Sequence, residues 1–153
     1  MTHLFISYSR KDTEFARRLT ESFVAQNMET WVDWEDIPPT VDWMKEIERG
    51  IEEADIFVFI VSPDSICSSV CAEEVAHAIK NGKRITPVVA REVDMKEAPA
   101  TLTHLNWIFF SRPQDKFEDA FEKLVTSFIN YFPGETEAVL SGRLLFDARI
   151  FHE

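Results

Sequence analysis

Two kinds of apolar pattern alternate along the chain. Short unbroken apolar runs give way to longer stretches in which apolar residues return every three or four positions. The short runs predict buried strands at "HLFISY" (3–8), "METWVD" (28–33), "ADIFVFIVS" (54–62), "RITPVVA" (84–90) and "HLNWIFF" (104–110). The run at 54–62 is apolar on both faces, as a central parallel strand covered by helices must be. The periodic stretches predict helices. Phe15, Leu19 and Phe23 recur every four residues beside Ala16, which predicts a helix over 13–26. Met44, Ile47 and Ile51 form the apolar side of a second helix, with Asp42 as its cap and Gly50 as a weak point near its end. A third helix over 69–81 is stopped by Asn81-Gly82. Phe117, Ala120, Phe121, Leu124, Val125, Phe128 and Ile129 trace a last helix to about Tyr131, and Pro133-Gly134 end it.

The connections are polar. "SRKD" is a turn in which Asp12 is the expected N-cap of the first helix. "WEDIPPTVDW", 34–43, is a loop, because two adjacent prolines fit neither a helix interior nor a central ladder. "PDSICSS" turns the chain, and "REVDMKEAPATL" is a polar connection with room for a short helix. Strands alternating with helices predict an α/β, flavodoxin-like three-layer fold. Its five-stranded parallel sheet should run in the order 2-1-3-4-5, with ligands at the carboxyl ends of the strands. Residues 135–153 lie beyond the fifth unit. Val139, Leu140, Leu144, Leu145 and Ala148 predict a helical tail, apolar on one side, that docks on the domain or leads into another.

Composition narrows the function classes. The 153 residues fit one domain, and a 45% hydrophobic content suffices for a core without staples. Cys67 and Cys71 are too few and too close for a secreted disulfide framework, so reduced thiols and a cytoplasmic protein are expected. The four histidines are scattered, and no metal site is expected. No apolar run approaches the ~20 residues that span a bilayer, and the N-terminus lacks the pattern of a signal peptide. A net charge of −11 argues against sequence-independent binding to nucleic acid. Four glycines in all supply neither G-x-G-x-x-G nor a Walker motif, which excludes a Rossmann dehydrogenase. A response-regulator receiver needs an acidic pair after the first strand and a lysine after the fifth, where this chain has "SYSRKD" and "FFSRP".

The predicted topology brings "SYSRKD", "DWEDIPPTVDW" and "SPDSICSSVCAEE" together at the carboxyl ends of strands one, two and three. These segments, in this order, resemble those of a Toll/interleukin-1 receptor (TIR) domain. "HLFISYSRKD" resembles the family's first-strand motif, and "WVDWEDIPPTVDWMKEIERGIEEAD" its BB loop and following helix. "FVFIVSPDSICSSVCAEEVAHA" resembles its third strand and S-x-x-C-x-x-E stretch. The likeness runs from about residue 3 to 132, which places a TIR domain over 1–134 and a tail or linker over 135–153. The tail resembles the linker helix that follows TIR domains in multidomain bacterial proteins.

The family contains adaptors that assemble TIR on TIR and enzymes that cleave NAD at the nicotinamide–ribose bond. In the enzymes the glutamate of C-x-x-E is catalytic, and counting from Cys71 places it at Glu74. Glu74 shares a helical side with Cys71; Glu73 is turned about 100° away and should face solvent. Cleavage leaves positive charge on the ribose carbon, as in glycoside cleavage. Nicotinamide leaves from a cationic ring and needs no general acid, so one carboxylate beside the ribose can suffice.

The resemblance also puts Tyr8, Ser9 and Arg10 over the nucleotide, with Arg10 able to pair with a phosphate. Trp34 and Trp43 bracket the BB loop and offer indoles for stacking, although Trp43 serves equally well to pack the loop on the body. Ser68 caps the third helix or bonds the ribose, and Cys71 belongs to the same motif. Val70 stands where family enzymes often carry an aromatic. The resemblance thus implies an NAD glycohydrolase or cyclase with NAD as substrate and no cofactor. It implies roles in antiphage or other immune defence, or in cell-death signalling, activated by self-association through the BB loop, residues 34–42. The alternative it allows is a non-catalytic TIR scaffold.

Overall fold

A computed structural model describes residues 2–32 and 42–129. Five strands alternate with helices: β1 (His3–Ser7), α1 (Thr13–Ala25), β2 (Glu29–Val32), α2 (Trp43–Glu53), β3 (Ile56–Val61), α3 (Ser69–Lys80), β4 (Arg84–Val89), α4 (Ala100–Thr103), β5 (Ile108–Phe109) and α5 (Phe117–Ile129). The sheet is parallel throughout and ordered β2-β1-β3-β4-β5, as the alternating pattern predicts. The predicted tail, 135–153, and most of the BB loop lie outside the described residues.

The period of two along each strand sorts side chains between two cores. Leu4, Ile6, Ile56, Val58, Ile60 and Val88 join Leu19 and Phe23 of α1 and Phe121 and Leu124 of α5. Phe5, Phe57, Phe59, Val61, Ile85 and Val89 join Ile47 and Ile51 of α2 and Cys71 and Val75 of α3. Every residue of β3 is buried, as its apolar run requires. The parity has a consequence for polar residues too: Ser7 falls on the α3 side of β1, and Ser62, one step past β3, falls on the α1 side.

Gly50 is more than a weak point in α2. Phe5 stacks on Trp31 at 5.0 Å and on Phe57 at 5.4 Å, a row of rings across β2, β1 and β3 that follows the strand register. A Cβ at residue 50 would lie 2.8 Å from Cδ2 of the Trp31 ring. The glycine lets α2 approach the indole. Gly50→Ala gains roughly 1 kcal/mol of helix propensity but forces a stacked ring or the helix to move, which typically costs about 1–3 kcal/mol and sometimes more. With a ring pinned on its far face, the net outcome expected is destabilisation, read as a Tm lower by roughly 2–8 °C. An unchanged or higher Tm by calorimetry would refute the packing argument.

The fifth strand is shorter than predicted. Only Ile108 and Phe109 pair with β4, opposite Val88 and Val89. The backbone ahead of them is committed to α4 and its turn: Leu105 N–H donates to the Leu102 carbonyl at 3.1 Å. The Trp107 indole Nε1–H donates to the same carbonyl at 2.7 Å. An apolar run therefore closes a turn over the core instead of extending the ladder.

Candidate functional site

α3 begins where the loop after β3 ends. Ser68 caps it, its Oγ accepting from Cys71 N–H at 3.2 Å, so the capping role anticipated for this serine is what the fold uses. The helical repeat then turns Cys71, Glu74, Val75 and Ala78 toward the sheet and leaves Glu73 exposed. Glu74 is 4% exposed, a carboxylate on a helix face otherwise made by Cys71, Val75 and Ala78. Ser7 Oγ, from the last residue of β1, donates to its Oε1 at 2.9 Å. The carboxylate thus sits at the carboxyl ends of the strands, beside the β1–β3 switch point where the topology reverses.

The other predicted residues are distributed unevenly around it. Tyr8 is largely buried in the α1–α5 core. Ser9 caps a short 3₁₀ turn, Arg10–Asp12, its Oγ accepting from Lys11 N–H at 3.3 Å. Arg10 is exposed on that turn. Trp43 opens α2 and packs against the α2–α3 core, in line with its packing role. Asp42 caps α2 as predicted, accepting from Lys45 N–H at 3.3 Å. Trp34 lies outside the described residues.

Cys71 is 2% exposed, beneath α3 against Phe59, Val75 and Leu102. Burial, the largest cause, pushes its thiol above the ordinary value; a hydrogen bond with Ser68 opposes this and the nearby Glu74 adds to it. Cys67 is exposed. Iodoacetamide at pH 8 should therefore label Cys67 in the folded protein and spare Cys71. Equal labelling of both, read by peptide mass, would contradict this placement.

Asp12 departs from expectation. It precedes α1 but makes no side-chain cap. Its carboxylate is buried and turns inward, accepting from Ser62 Oγ at 2.5 Å and from Arg91 Nε at 2.7 Å. Arg91, just past β4, also donates through Nη2 to Asp64, and Lys11 lies 3.5 Å from Asp64. Asp12 first, and then Asp64, hold the Arg91 guanidinium more firmly charged than usual, while the Arg91 hydrogen bond draws the Asp64 carboxyl below its ordinary range. Ser62 and Ser65 close the loop after β3 on themselves: Ser62 N–H donates to Ser65 Oγ at 2.8 Å, and Ser65 N–H to Ser62 Oγ at 3.1 Å.

A cavity of about 650 Å³ opens at the amino end of β4, lined by Lys83, Thr86, His104, Leu105 and Asn106 among others. No predicted site residue lines it. Among the described residues there is no cluster of His, Cys, Asp or Glu able to hold a metal, and no helix long and apolar enough to cross a membrane.

The geometry and topology agree with the comparisons. The family model described as "TIR domain" matches residues 4–125, and the chain belongs to the TIR-domain family. No curated protein matches it. Solved structures share the fold at low identity. The TIR domain of the Toll-related receptor TRR-2 from Hydra magnipapillata is 19% identical, with a TM-score of 0.69 over 83% of this chain and 97% of that one. The RPS4 and RRS1 TIR-domain heterodimer is 16% identical, with a TM-score of 0.60 over 85% and 97%. The Clostridium botulinum CMP N-glycosidase BcmB is 19% identical, with a TM-score of 0.55 over 80% and 98%.

Proposed function

We propose that this TIR domain cleaves NAD at the nicotinamide–ribose bond, with Glu74 as the catalytic carboxylate. The observation that carries this reading is the buried Glu74, held by Ser7 at 2.9 Å where β1 and β3 end. A carboxylate shielded from bulk water acts more strongly on a developing positive charge than an exposed one. Fixed in place, it costs little reorganisation as the ribosyl cation forms. The CMP N-glycosidase among the fold's relatives breaks the same kind of bond, between a ribose carbon and a ring nitrogen. In this reading Ser9 and Arg10, just past β1, and Ser68, at the start of α3, contact the nucleotide, Tyr8 supports the first of these loops from the core, and Trp34 and Trp43 border the site from the BB loop. The enzyme needs no metal or cofactor; NAD is the substrate. TIR domains do associate with one another, as in the RPS4 and RRS1 heterodimer, and in this reading assembly brings the BB loop of one chain, residues 34–42, to the site of the next. The setting is intracellular defence or cell-death signalling.

A scaffold without catalysis would use Glu74 only for structure, as in its hydrogen bond with Ser7. NAD titrated into the isotope-labelled protein separates the two. The expected result is amide shift changes at 7–10 and 68–74, saturating with NAD. Shift changes confined to other surfaces, or none, would favour the scaffold.

A further inference from the structure

Glu74 is held at its carboxylate by Ser7, but its helix is held by something else. α3 starts from the loop after β3, and that loop hangs on Ser62, whose hydroxyl donates to Asp12 at 2.5 Å. Asp12 lies five positions past Ser7, at the end of the turn that carries Ser9 and Arg10. Arg91 joins the same carboxylate from beyond β4 at 2.7 Å and reaches Asp64 in the loop after β3. A single buried carboxylate therefore touches segments from three strand ends, and two of these carry the parts around Glu74. A helix cap would not require this burial or these partners.

We propose that Asp12, clamped by Ser62 and Arg91, is a positioning residue for the Glu74 site, tying the loops after β1, β3 and β4 into one unit. The inference rests on the catalytic reading for its functional half. Its physical half stands apart: removing one member should loosen segments that are distant in sequence. Asp12→Asn keeps an oxygen for Ser62 and removes the charge that faces Arg91. Arg91→Ala removes the half-exposed partner and leaves the core untouched. A small displacement of a reacting group costs on the order of 100-fold in rate.

The test uses Asp12→Asn, Arg91→Ala and the double variant in the full chain. Two readouts are taken: kcat and KM for nicotinamide release, and amide hydrogen exchange across 8–12 and 62–68. Either single variant should lower kcat on the order of 100-fold with KM little changed. The double variant should be no worse than the poorer single one, as expected for residues that act together. Exchange should quicken in both segments in every variant while β3 and α5 keep their protection. Unchanged exchange in the loop after β3 would overturn the clamp. So would additive losses in the double variant. A raised KM at constant kcat would make Arg91 a substrate contact and overturn its positioning role. If the wild type releases no nicotinamide, the catalytic reading fails on its own, and the exchange data still decide whether the clamp exists.

Discussion

Glu74→Gln should lower nicotinamide release by about 100- to 1000-fold, the range seen when one preorganised group facing developing charge is removed. Glutamine matches glutamate in size and still offers an oxygen to the Ser7 hydroxyl, so the contact seen at 2.9 Å can persist. What is lost is the negative charge. The fold should survive because a neutral amide is less costly to bury than a carboxylate. Circular dichroism and Tm should therefore stay near the wild-type values while turnover collapses. Glu73→Gln provides the control: Glu73 lies on the exposed side of α3 and should leave turnover unchanged. Ser7→Ala tests the same contact from the other end. Losing a hydrogen bond to a buried charged group costs about 1.5–3 kcal/mol, so both Tm and turnover should fall.

The second large effect expected is a dependence of specific activity on protein concentration. If the BB loop of one chain completes the site of another, the active species is an assembly. Well below its dissociation constant, a tenfold rise in chain concentration should raise the rate per chain about tenfold where two chains form one site. Each chain carries −11, so like-charge repulsion opposes assembly. That repulsion is screened beyond about 8 Å at physiological salt. Moderate salt should therefore help most when the protein is dilute. Proline fixes φ, so replacing Pro38 and Pro39 with glycine should raise the ordering entropy that any docking of this segment must overcome. The variant should need more protein for the same rate per chain. A flat profile for an active wild type would mean one chain holds a complete site.

The layers and strand order were legible because hydrophobic period reports burial directly. β3, apolar at every position, declares itself central, and the four-residue rhythm of α1 declares its buried face. The helical repeat correctly separated a buried Glu74 from an exposed Glu73; the role of Glu74 rests on the family resemblance of its C-x-x-E stretch. Ser7 was also readable in principle, as the polar residue on the α3 side of an otherwise apolar strand. Asp12 stands at the N-cap position of α1, as its place before the helix implies, but its side chain does not cap, because Ser62 and Arg91, 50 and 79 residues away, take its carboxylate. No local pattern encodes such partners. β5 failed for the opposite reason: its apolar run is real, but the Leu102 carbonyl captures Leu105 and Trp107 before the ladder can extend. Gly50 shows how a residue weak in propensity can be required by a neighbour, Trp31, that comes from another element.

The central claim, that this TIR domain breaks the nicotinamide–ribose bond through Glu74, is tested most directly by timed chromatography of NAD with the purified chain. The series should span dilute to concentrated protein, with Glu74→Gln run beside the wild type. The account predicts that nicotinamide appears as NAD disappears, in equal amounts, at the concentrated end, and that Glu74→Gln nearly abolishes it. Intact NAD at every concentration, or equal turnover by Glu74→Gln, would contradict it.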